Sequence, residues 1–188
     1  MSNATTPRVM ILLAPGAEEM EAVIIIDVLR RAGVEVVVAG VEGHDAVACS
    51  RGVRLVPDVS LADVAAAETF DFIILPGGME GTRRLGAAPA VGELLRNQEA
   101  AERGIGAICA APAALAMHGV ARGRRLTSHP AVEPLVASHG EYTDDPVVED
   151  GPLITSRGPG TAFEFALALA ARLVGREAAD ALRGPMIL

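Results

Sequence analysis

Lysine is missing from this 188-residue chain, and all 16 basic side chains are arginine. That excludes Schiff-base chemistry through a lysine, pyridoxal phosphate enzymes included. Tryptophan is also absent and only 3% of the residues are aromatic, so Ala, Val, Ile and Leu must build the core. The two cysteines, Cys49 and Cys109, are too few for a disulfide framework and suit a reducing, cytoplasmic setting. No apolar run approaches the roughly 18 residues of a membrane span, so no membrane partner is expected. The net charge of −8 argues against nucleic acid as a partner. Several site motifs are lacking as well. Gly158-Pro-Gly160 is followed by Thr-Ala-Phe, without the third glycine of a dinucleotide loop. There is no Gly-x-Ser-x-Gly elbow and no Cys-x-x-Cys pair. His44, His118, His129 and His139 are scattered, so no metal site is expected.

What is present is a large apolar content, 51% of the chain, enough for one compact domain over residues 8–188. The first seven residues, small and polar, read as a disordered tail and not as a signal peptide. Val9–Ala14 is a continuous apolar run, as a strand buried on both faces requires. Pro15-Gly16 breaks it, and a helix over Glu18–Ala32 follows, closed by Gly33. Its stripe is Ile24, Ile25, Val28, Leu29 and Ala32, and Glu21 falls on that same face. Further strands are predicted at Glu35–Ala39, Phe70–Leu75 and Ile105–Ile108, with a short fifth at Arg125–Thr127. Ala46–Ser50 and Val53–Val56, separated by Arg51-Gly52, read as a short hairpin or two bent edge pieces, and a hairpin is predicted over Val147–Thr155. Helices are predicted over Leu61–Ala67, Glu80–Leu85, Ala90–Glu102, Pro112–Met117, Ala131–Ala137, Ala162–Val174 and Glu177–Arg183. Strands alternating with helices predict an α/β fold: a doubly wound, mainly parallel sheet with helices on both faces.

In such a sheet ligands bind at the carboxyl ends of the strands. Four unusual features fall on that edge: the glutamates after the first strand, Gly77-Gly78 after the third, Cys109 after the fourth and His129 after the fifth. Gly106-Ala-Ile-Cys109-Ala-Ala-Pro112 reads as a strand–nucleophile–helix elbow, and the helix start should lower the thiol pKa. Glu21, desolvated on an apolar face, favours its neutral form and could donate a hydrogen bond to a thiolate or shuttle protons. Gly77, Gly78 and the Ala110 N–H could form an oxyanion hole, and His129 could act as a base. Plainer readings stay open: a structural cysteine, a glutamate satisfied by backbone, a glycine turn and a loop histidine.

Gly16-Ala-Glu-Glu-Met-Glu21, Asp27-Val-Leu-Arg-Arg-Ala-Gly33, Cys49-Ser-Arg51, Leu75-Pro-Gly-Gly78, Ala107-Ile-Cys-Ala110, His129-Pro130 and Thr155-Ser-Arg-Gly-Pro-Gly-Thr161 together resemble the ThiJ/PfpI superfamily, in the branch of the parkinsonism-associated deglycase and its bacterial relatives. The resemblance implies a flavodoxin-like fold, a homodimer and no cofactor. It implies Cys109 as nucleophile, Glu21 bonded to it, His129 beside it, and an anion pocket at Gly78 and Ala110. The implied activity is cofactor-free conversion of α-oxoaldehydes (methylglyoxal to lactate) or removal of their adducts. The implied alternative is peroxide sensing and chaperone-like protection through the same oxidisable thiol. Val56 stands where the animal proteins carry a second cysteine, so functions that need that thiol are not expected here.

Overall fold

The computed structural model describes residues 6–64 and 68–188. In chain order the elements are β1 (Arg8–Leu13), α1 (Glu19–Arg31), β2 (Glu35–Gly40), β3 (Val47–Ala48), β4 (Arg54–Leu55), β5 (Val59–Ser60) and β6 (Phe72–Leu75). There follow α2 (Met79–Ala87), α3 (Pro89–Ala100), β7 (Gly104–Ile108), α4 (Pro112–His118), β8 (Arg125–Leu126), α5 (Glu133–Ala137) and β9 (Glu141–Tyr142). The chain finishes with β10 (Val147–Asp150), β11 (Leu153–Ser156), α6 (Ala162–Val174), α7 (Arg176–Ala181) and α8 (Arg183–Met186). The central sheet runs β10-β11-β7-β6-β1-β2-β5, parallel throughout except at β10. The α1–α6 pair covers one face and the packed group α2–α4 the other. This is the doubly wound, mainly parallel arrangement expected from the alternation of strands and helices.

The apolar run that predicted β1 is a strand covered on both faces: Val9, Met10, Ile11, Leu12 and Leu13 are fully buried. Helix α1 is capped by the Glu18 carboxylate, which accepts the Glu21 N–H at 2.8 Å and so satisfies one of the free donors of the first turn. Ala22, Ile25, Val28 and Leu29 are buried, and Glu21 with them, as the helical period required. Helix α6 lies close on the sheet: a Cβ at Gly106 of β7 would stand 3.2 Å from the Phe165 ring.

Three expectations are corrected. Arg125–Thr127 is not a strand of the central sheet. Only Arg125–Leu126 is extended, and it pairs in parallel with β9 in a separate ribbon. The place beside β7 is taken by β11, the inner strand of the predicted hairpin. It is the longer and more apolar of the two, with all four residues buried, so it is the better partner for a buried strand. The helix predicted at Leu61–Ala67 is a single tight turn, Leu61–Asp63, and residues 65–67 lie outside the described residues. Residues 1–5 of the predicted tail also lie outside them. Pro7, placed in that tail, is tied down, its carbonyl accepting the Glu35 N–H at 2.9 Å.

Candidate active site

Cys109 follows β7 directly and has φ 64°, a left-handed conformation that costs a non-glycine residue about 1–2 kcal/mol. Neighbours hold it there. Its N–H donates to the Ser156 carbonyl of β11 at 2.9 Å, and its carbonyl accepts the His129 N–H at 2.8 Å. This strained turn lifts the side chain to the carboxyl edge of the sheet, at the floor of a cavity of about 580 Å³. His129 and Gly78 line that cavity, with Glu18 from the α1 cap and Cys49, Ser50 and Arg51 from the β3–β4 turn. Cys109 is 8% exposed.

Glu21 reaches the sulfur from the opposite, buried side and is fully inaccessible. One carboxyl oxygen accepts the Gly77 N–H at 2.7 Å. The other, Oε1, has no hydrogen-bond partner, and the carboxyl lies beside the Cys109 thiol, each group acting on the other's hold on its proton. Burial pushes the Glu21 carboxyl up to about 7, against the opposing pull of the Gly77 N–H and the thiol. Burial, and then the Glu21 charge, push the Cys109 thiol up to about 12, although the Gly78 and Ala110 N–H groups point at the sulfur and favour thiolate. The lowering expected from the helix start is therefore not what the pocket produces. The local reason is visible. Pro112 has no N–H, and the N–H groups of Ala111, Ala113 and Ala114 donate to Ile108, Ala110 and Ala111 within the turn. Of the elbow's donors, only Ala110 is left for the sulfur.

The two glycines divide their work. Gly77 gives its N–H to Glu21 and is no oxyanion donor. A Cβ there would stand 2.6 Å from the Cys109 Cβ and 2.8 Å from Glu21 Oε2, so only glycine lets acid and thiol meet. Gly78 has φ +86°, and a Cβ there would clash with the Gly16 carbonyl. Its N–H is the second donor at the sulfur. His129 Nδ1 accepts the Ala131 N–H at 3.1 Å. With that lone pair engaged, the neutral ring carries its proton on Nε2. His129 therefore offers a donor rather than the base expected from the sequence.

Two contributors were not assigned from the sequence. Glu19, 5% exposed, gathers Ser50 Oγ at 2.8 Å and the N–H groups of Arg51 and Val53 at 2.8 and 3.4 Å. Burial works to raise its pKa, but these bonds and that of its own N–H outweigh it and hold the carboxyl below the usual range. Glu19 thereby fixes the wall of the cavity that carries Cys49 and Arg51. The second is Ser156, whose carbonyl holds Cys109 and whose hydroxyl is bonded to Pro146 and Thr161. Its signal was the Thr155–Thr161 motif, which the sequence showed without a role. Among the described residues no group of three or more His, Cys, Asp or Glu side chains is gathered for a metal ion.

Comparison with known proteins places this geometry in context. Residues 7–172 match the model of the DJ-1/PfpI family. A Drosophila melanogaster protein named dj-1beta is 56% identical over 169 residues, 89% of this chain and 90% of the relative. A Caenorhabditis elegans protein named glutathione-independent glyoxalase DJR-1.2 is 44% identical over 187 residues, 98% of each chain. The crystal structure of Drosophila DJ-1beta superimposes with a TM-score of 0.95 at 51% identity, covering 98% of this chain and 99% of that one.

Proposed function

The chain belongs to the DJ-1/PfpI family, and from that premise and its thiol pocket we propose that it is a cofactor-free cysteine enzyme acting on α-oxoaldehydes or their adducts. The observation that carries the reading is the buried pair Glu21–Cys109, a carboxyl at about 7 beside a thiol at the floor of an open cavity. A base whose pKa lies near the working pH is the effective kind.

In the proposed reaction the sulfur attacks the aldehyde carbon. The S–C bond forms, the carbonyl electron pair moves to oxygen, and the thiol proton passes to Glu21. The new oxyanion takes over the Gly78 and Ala110 N–H groups, now aimed at the sulfur, with His129 Nε2–H as a further donor in the same cavity. Glu21 passes that proton on to the oxygen, which gives a hemithioacetal and frees the carboxylate. Glu21 then removes the proton from the former aldehyde carbon and returns it to the adjacent ketone carbon, while the hydroxyl proton passes to the ketone oxygen. The result is a thioester of a 2-hydroxy acid: the aldehyde carbon is oxidised, the ketone carbon reduced, and no outside oxidant is needed. Water cleaves the thioester, releasing the acid and the thiol. A relative named glutathione-independent glyoxalase supports this reading.

The purified chain is expected to convert methylglyoxal to lactate, and Cys109→Ser to lose turnover by at least about a hundredfold. Equal, negligible lactate from both proteins would refute the proposal.

A further inference from the structure

The thiol cavity does not end at the thiol. Met79, Glu80 and Ala131 line it on one side, and the same three residues line a second cavity of about 610 Å³. This neighbour lies between α2, α4 and the turn into α5, and its walls are mainly apolar: Ala113, Met117, Val132, Pro134 and Leu135 join Met79, while Glu80, Thr82 and Arg83 close the α2 side. Three of these side chains stand in solvent, Met79 at 60%, Met117 at 51% and Leu135 at 40% exposure. The thiol cavity shares Met79 and Ala131 but also carries the polar groups Glu18, Ser50, Arg51 and His129. A methyl substituent on a substrate held at Cys109 would leave the apolar cavity empty.

We propose that this groove is the subsite for the substituent of the α-oxoaldehyde, and that the chain favours substrates with an aryl or branched apolar group over methylglyoxal. The proposal rests on Cys109 as the reacting centre. The shared wall of Met79, Glu80 and Ala131 sets the two cavities side by side, and this argues for an occupant that is one molecule with the reacting carbonyl. Its polar end meets the donors at Gly78 and Ala110, and its apolar end meets Met79, Met117 and Leu135. Burial of that end supplies binding in proportion to the apolar area removed from water. Two flexible methionines let the groove fit substituents of different outline.

The test uses the full chain, with Met117→Ser and Leu135→Ser, both at exposed positions where folding survives. kcat/KM is measured for phenylglyoxal and for methylglyoxal, and the ratio is the readout, since it cancels any general loss. Each substitution should lower that ratio by about tenfold. In parallel, Cys109 is alkylated with iodoacetanilide and with iodoacetamide. The sulfur displaces iodide in both cases and only the aryl group differs. The wild-type chain should favour the anilide, and the variants should lose that preference. An unchanged ratio in both assays overturns the groove. No turnover of either aldehyde, with an anilide preference that the variants lose, keeps the groove and removes the proposed reaction. No turnover of either aldehyde together with no anilide preference in the wild-type chain removes both. If either variant shifts the chain's sedimentation to a smaller species, a second copy covers the groove, and the substrate proposal fails.

Discussion

Glu21 is an acid placed where water cannot reach it. The folded chain holds its proton to about 7, against 4.5 for the free side chain. Between those values the folded state retains a proton that the unfolded state has released. Stability therefore falls as pH rises from about 4.5 through about 7, by on the order of 3 kcal/mol in all. Glu21→Gln keeps the shape and an acceptor for the Gly77 N–H but does not titrate. Urea midpoints at pH 5 and pH 7.5 should differ less in this variant than in the wild-type chain, and an unchanged difference would place the titration elsewhere. The inward direction of Glu21 was legible because helical period alone sets it. The thiol pKa was not. It depends on the burial of the sulfur, the charge beside it and which N–H groups the turn has already used, and none of these is a property of the Gly106–Pro112 stretch.

Among the elements, the β3–β4 ribbon is the least self-sufficient. Its strands have two residues each, too few to hold a hairpin in water. It is held by the Glu19 carboxylate across from Ser50, Arg51 and Val53, and by backbone bonds from the Gly16 N–H to Ala48 and from the Ser50 N–H to Ala17. Hydrogen bonds to a charged group contribute about 1.5–3 kcal/mol each. Glu19→Ala should thus loosen the turn before it unfolds the domain. Limited trypsin digestion followed by mass spectrometry should show early cleavage at Arg51 and Arg54 in the variant, while these sites stay slow in the parent chain. The hairpin itself was legible from the turn residues Arg51-Gly52. Its anchor was not, because Glu19 and Val53 are distant in sequence and only folding brings them together. The misread strand at Arg125–Thr127 has the same origin: membership of a sheet is a competition between segments, and β11 won it.

For the whole molecule we propose a homodimer, as the family resemblance implies. Met20 and Val23 of α1 are exposed, as are Val53 and Val56 around β4 and Phe163 of α6. The bond from Glu19 to the Val53 N–H brings the α1 and β4 groups side by side, and α6 packs along α1. Apolar side chains gathered on one face are the usual mark of an interface. Sedimentation should give twice the mass of the chain, and Val53→Asp should shift the equilibrium toward monomer; a monomeric parent chain would refute the assignment. Among the described residues no helix is long and apolar enough to cross a membrane. The sequence by itself determined the layered α/β order, the buried strands, the elbow at Cys109 and the inward face of Glu21. These follow from periodicity, apolar runs and turn residues, which act over a few neighbouring positions. The tertiary structure decided the strand beside β7, the anchor of the cavity wall, the proton carried by His129 and the high pKa of the thiol. Each of these is set by groups far apart in the chain, and their burial and mutual distance exist only once the sheet has assembled.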